Sequence, residues 1–164
     1  MRTSFWNCCL LRALAGIAAL ALAPGLAGQA SEVLTASAPA RTLIQRGGTA
    51  SPKIPVQLRS GYHVNSHSPN DEFLIPLRLR WDEAGPVKAV EVTYPKPELR
   101  NYGFSDQPVS VFTGAFAILT RLQAATDAPT GTGTLAGKLR YQACDEKSCL
   151  PPRTIEVRLP YEIR

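Results

Sequence analysis

Apolar and polar residues alternate along most of the chain. Ile54, Val56 and Leu58 alternate with Pro55 and Gln57, and Leu77, Leu79 and Trp81 with Arg78, Arg80 and Asp82. Val90 and Val92 flank Glu91, and Phe116, Ile118, Thr120 and Leu122 share one parity. Leu135, Leu139 and Tyr141 share another, against Lys138 and Arg140. The last segment is the most regular, with Ile155, Val157, Leu159, Tyr161 and Ile163 opposed to Thr154, Glu156, Arg158 and Glu162. A period of two predicts strands with one buried and one wet face. Turn-forming residues separate these segments, among them Gly47-Gly48, Ser60-Gly61, Pro69-Asn70-Asp71, Asp127-Ala128-Pro129 and Gly131-Thr132-Gly133. The 14 prolines work against long helices. Strands wetted on one face must pair two sheets, so the predicted fold is an all-β, immunoglobulin-like β-sandwich of seven to nine strands, with a small barrel as the alternative.

The first 30 residues break this pattern. Arg2 precedes a mostly apolar run from Cys9 to Ala23, Pro24-Gly25 ends it, and Gly28-Gln29-Ala30 offers small residues for cleavage. That layout predicts a signal peptide over residues 1–30. The run is short of the roughly 20 apolar residues of a membrane span, although an uncleaved anchor is the competing reading. Residues 31–40 are small and polar and read as a flexible leader, which leaves 41–164 as one domain.

Cleavage changes the charge and the cysteine count. It removes Arg2 and Arg12 from 18 basic residues and none of the 13 acidic ones, leaving 16 against 13, a net +3. The remaining basic residues are scattered, which argues against nucleic acid as a partner. Nothing after Ala30 is apolar enough to span a membrane, and a periplasmic or otherwise exported monomer is expected. Of the four cysteines, Cys8 and Cys9 leave, and Cys144 and Cys149 remain. Export places that pair where disulfides persist.

Cys144 ends one strand, and Cys149 precedes Pro151-Pro152 and the last strand. The four residues between them suffice for a bridged hairpin loop at the sandwich rim, with both sulfurs near the surface. A stabilising role is one reading. Magnitude counts against it, because closing a loop of about six residues contributes roughly 2 kcal/mol, against almost 5 for a loop of about 100. A short rim bridge is better placed for exchange with an attacking thiolate. No C-x-x-C and no helix N-terminus is available to lower a thiol pKa, and Asp145 and Glu146 disfavour a thiolate. A dithiol that reacts slowly until a partner docks is therefore expected.

Tyr141-Gln142-Ala143-Cys144, an acidic loop, then Cys149-Leu150-Pro151-Pro152 resembles the N-terminal periplasmic domain of the thiol:disulfide interchange protein DsbD. Gly61-Tyr62-His63-Val64-Asn65, Ile75-Pro76 and Tyr102-Gly103-Phe104 ahead of Phe112 follow that family's order. The resemblance runs from about Ala40 to Arg164. It implies an immunoglobulin-like domain relaying electrons between thioredoxin-like and other exchange proteins, a protein-disulfide reductase-type activity without a cofactor. It further implies that Cys149 forms mixed disulfides, that Cys144 resolves them, that Tyr102 and Phe104 shield the pair, and that Tyr62 lies nearby. The loop is one residue shorter than in the best-known members, and the electron supply is expected from a separate protein.

Two other readings compete. His63 and His67 with Cys144 and Cys149 could form a two-histidine, two-cysteine metal set. An immunoglobulin-like sandwich could equally be a non-catalytic interaction module with a structural disulfide. No Ser-His-Asp order, carboxylate pair or phosphate loop points to hydrolysis.

Overall fold

The computed structural model describes residues 32–37 and 39–164. The expected signal peptide lies outside the described residues. Thirteen strand segments and no helix form the described part. They are β1 (Leu34–Ala36), β2 (Thr42–Ile44), β3 (Thr49–Ala50), β4 (Lys53–Leu58), β5 (His63–Asn65), β6 (Arg78–Trp81), β7 (Val87–Thr93), β8 (Glu98–Arg100), β9 (Val109–Thr113), β10 (Ala115–Ala124), β11 (Gly131–Tyr141), β12 (Ala143–Cys144) and β13 (Arg153–Ile163). Among the described residues, no helix is long and apolar enough to cross a membrane.

Three sheets carry the fold. In the first, β10 is shared between β4 and β3 along one edge and β7 along the other, with β1 outside β4. The second has the order β2-β13-β11-β6, and the third β12-β5-β9-β8. The long antiparallel pair β11 and β13 runs in unbroken register from Gly131↔Ile163 to Tyr141↔Arg153. Their inward residues Leu135, Leu139, Val157 and Leu159 meet Ile54, Val56, Ile118 and Leu122 of the first sheet in one core. Trp81 Nε1 donates to Thr120 Oγ1 at 3.1 Å and satisfies a polar atom between the layers. Gly137 is required beside that ring, because a Cβ there would stand 2.5 Å from Trp81. The immunoglobulin-like sandwich expected from the alternation is the fold observed.

Three local expectations change. The segment count is higher than seven to nine, because six of the thirteen segments have two or three residues, too few to show a period. The supposed leader contains β1, which pairs with β4 and buries Leu34 completely, so ordered structure begins before Arg41. Val90 does not share a face with Val92. The β7–β10 register passes from Glu91↔Arg121 to Ala89↔Leu122, which leaves Val90 as a bulged, exposed residue while Ala89 and Val92 pack on the core.

Candidate functional site

The third sheet is the platform of the site. Beyond Tyr141 the chain leaves β11, passes Gln142 and pairs again as β12 against β5, with Ala143↔Val64 and Cys144↔His63. It then reverses over four residues, and Cys149 returns opposite Cys144 in an isolated antiparallel bridge. The two cysteines are joined as a disulfide with Cα atoms 3.9 Å apart.

Hydrogen bonds other than the covalent link shape the reversal. Asp145 Oδ1 accepts from the backbone N–H groups of Lys147 and Ser148, each at 2.8 Å. The Asp145 N–H donates to Ser148 O at 2.9 Å, and Leu150 N–H to Ala143 O at 2.8 Å. Gln142 Nε2 donates to Leu150 O at 3.2 Å. The two amides hold the Asp145 carboxyl below the usual carboxylate range. Asp145 is thus the structural acceptor of the turn, whereas Glu146 is an exposed charge.

The sulfurs are not equivalent. Cys144 is 0% exposed, which corrects the expectation that both sulfurs lie near the surface. It sits on β12, the terminal strand of the third sheet, paired to β5 and with Ala143 in the core beside it. Cys149 lies on the outward arm of the hairpin and is exposed.

Pairing continues across the sheet. Cys149 faces Cys144, Cys144 faces His63 of β5, and His63 faces Thr113 of β9. Directly opposed residues of antiparallel strands point to the same face with β-carbons about 4.5–5.5 Å apart. The four side chains therefore form one row.

An aromatic stack closes over the histidine. The rings of His63 and Tyr102 lie 4.0 Å apart at an interplanar angle of 16°. Phe104 follows at 5.3 Å from Tyr102 and 6.2 Å from His63, and remains 37% exposed. The two expected shielding residues thus stand on the neighbour of Cys144. Tyr62 packs partly on the core, with the Arg59 guanidinium 4.7 Å above its ring. Beside this group opens a cleft of about 400 Å³, lined by Arg59, Tyr62, His63, Arg100, Tyr102 and Glu146, among others.

The two histidines part company. His63 is 3% exposed and stacked on Tyr102, while His67 is exposed and stacked on Tyr94 at 4.7 Å. Among the described residues, no three His, Cys, Asp or Glu side chains converge as a metal would require, so the two-histidine, two-cysteine set is not formed.

His63 is the residue that sequence reasoning undervalued. Burial holds its imidazole neutral, lowering its pKa to about 4, although the Asp145 carboxylate favours the proton and Arg100 opposes it. In an unfolded chain the ring titrates near its ordinary value of about 6.5. The native state then binds fewer protons than the unfolded one between these values, so stability falls as pH drops from about 6.5 to about 4. Urea unfolding across that range is expected to show the decline, and His63→Phe to flatten it. An equal decline in the variant would assign the acid sensitivity elsewhere.

Comparisons with known proteins agree with this architecture. The family model described as thiol:disulfide interchange protein DsbD, N-terminal, matches residues 31–160. The crystal structure of the N-terminal periplasmic domain of ScsB from Proteus mirabilis superposes at a TM-score of 0.51 with 16% identity, covering 77% of this chain and 44% of that one. The chain thus spans less than half the length of that structure. A family 123 glycoside hydrolase from Clostridium perfringens reaches a TM-score of only 0.33 at 14% identity, over 81% of this chain and 27% of that one. No curated protein matches the sequence. A β-sandwich with a rim disulfide, matched by that family model over residues 31–160, belongs to the family of N-terminal domains of the thiol:disulfide interchange protein DsbD.

Proposed function

We propose that the domain is a periplasmic electron relay in which Cys149 is the exchanging sulfur and Cys144 the resolving one. The observation that carries this reading is the asymmetry of the bridge, one cysteine exposed and its partner buried. An incoming thiolate must approach a sulfur along the S–S axis, and the exposed Cys149 is the sulfur to which a protein has access.

The cycle follows. A thiolate of a thioredoxin-like donor attacks Cys149 Sγ. The Cys144–Cys149 bond breaks, and Cys144 leaves with the electron pair. The donor's second thiolate attacks the donor sulfur of the mixed disulfide, releasing Cys149 and an oxidised donor. Two electrons and two protons have then moved to the domain. In the second half, Cys149 attacks an acceptor disulfide, and Cys144 displaces the acceptor's remaining sulfur as the bridge re-forms. No cofactor takes part. Tyr102 and Phe104 screen the row on the His63 side, Tyr62 borders the cleft, and the Asp145 turn holds Cys149 outward. Residues 1–30 act as the export signal in this reading, and the domain works as a monomer.

The test is direct. The oxidised protein is mixed with a stoichiometric, fully reduced thioredoxin-like protein, and the free thiols of Cys144 and Cys149 are counted by alkylation and mass spectrometry. Both are expected to become alkylated as the donor is oxidised. A bridge that dithiothreitol opens but no thioredoxin-like donor does would mark a binding module with a structural clasp instead.

A further inference from the structure

His63, the third member of the row, has no part in the exchange chemistry described above. His63 lies directly opposite Cys144, nearly sealed from solvent, and its Nε2 atom is buried without a hydrogen-bond partner. Buried polar atoms are almost always paired, so an orphan beside a reacting sulfur calls for a reason. Cys144 supplies one. When its bond to Cys149 breaks, a thiolate appears at a fully buried position, where a bare negative charge is costly.

We propose that His63 is the proton partner of Cys144, its Nε2 taking up a proton as the Cys144 sulfur leaves the bridge and returning it when the bridge re-forms. With dithiothreitol as reductant the balance is complete. Its two thiols deliver two electrons and two protons and leave as a cyclic disulfide. One proton ends on Cys149, and the other on His63, beside the Cys144 thiolate.

The charges around the ring fit this switch. Asp145 favours the imidazolium from the turn after β12, and Arg100 opposes it from β8, itself paired to Glu98. Tyr102 covers one ring face, and Glu146 and Arg59 line the adjoining cleft. While the sulfurs are bonded, burial outweighs Asp145 and the ring stays neutral. A thiolate in register adds a second negative charge and reverses that balance. The imidazolium in turn holds the Cys144 thiol ionised, which eases its departure when Cys149 is attacked, since a lower leaving-group pKa speeds exchange.

His63 and His67 are the chain's two histidines, so the imidazole C–H signals of the full chain are readable by NMR, with His67→Gln to assign them. The His63 midpoint is expected to rise by about two pH units or more on reduction with dithiothreitol. That rise is expected to vanish in Cys144→Ser, which lacks both bridge and thiolate. The same midpoint in both redox states overturns the proposal, as does an unchanged rise in Cys144→Ser. His63→Phe, which keeps a ring for Tyr102 to stack on, is expected to slow opening by dithiothreitol about tenfold at neutral pH; opening at the unaltered rate overturns it. The use of this proton rests on the relay reading. Its detection does not, because dithiothreitol opens the bridge even where no protein donor does.

Discussion

Cys149→Ser is expected to abolish exchange with protein partners, and Cys144→Ser to arrest it one step later. The distinction follows from burial. Without Cys149 no reactive sulfur remains at the surface among the described residues, and the buried Cys144 cannot reach a docked protein. No mixed disulfide then forms with a reduced or an oxidised thioredoxin-like protein. Without Cys144 the exposed thiol still attacks an oxidised partner, but nothing displaces that partner, and a stable covalent adduct accumulates. Non-reducing electrophoresis with the oxidised partner reads both outcomes, expected as one adduct per chain for Cys144→Ser and none for Cys149→Ser. Adducts on Cys144 in the Cys149→Ser protein, at a comparable rate, would reverse the roles assigned to the two sulfurs.

The largest effect on stability is expected from the core between the long strands. Leu139 is fully buried on β11, facing Ile155 of β13 on one side and Leu79 of β6 on the other. Truncation to alanine removes buried methyl groups and leaves a cavity, together costing about 3 kcal/mol. That is a large share of the roughly 5–15 kcal/mol by which domains are stable. With a urea slope of about 2 kcal/mol/M, the midpoint is expected to fall by roughly 1.5 M. The bridge lies outside this layer, so the folded Leu139→Ala protein is expected to react with dithiothreitol at the original rate. A midpoint shift below about 0.5 M would mean that the strands around Leu139 can collapse into the space.

The parts of the fold that could be read from the sequence are those where one rule acts over many residues. β11 and β13 run for 11 residues each, long enough for a period of two to show through any local exception. β1, β3, β8 and β12 have two or three residues and exist because a neighbour offers a free edge, which is a tertiary condition. The bulge at Val90 depends on how β7 meets β10 and leaves no mark in the alternation.

The site divides in the same way. Two cysteines flanking a four-residue acidic turn were visible as a bridge from spacing alone. Their unequal burial was not, because Cys144 is covered by pairing with β5, about 80 residues away in sequence. His63 was visible only as one of four residues of a metal set and within a segment that follows the family's order, neither of which marks it as buried. In the structure all three residues of β5 are buried. Tyr102 and Phe104 came from family resemblance, and their stack on His63 follows from geometry that no spacing encodes.

The Asp145 turn has a consequence for how partners take their places. Its carboxylate gathers the Lys147 and Ser148 amides without help from the sulfur bond, so the hairpin is built to keep its outline whether that bond is closed or open. A donor and an acceptor then meet the same small footprint around Cys149. Two proteins cannot occupy it together, so the proposed relay is expected to work by succession, with an excess of either partner inhibiting the other competitively.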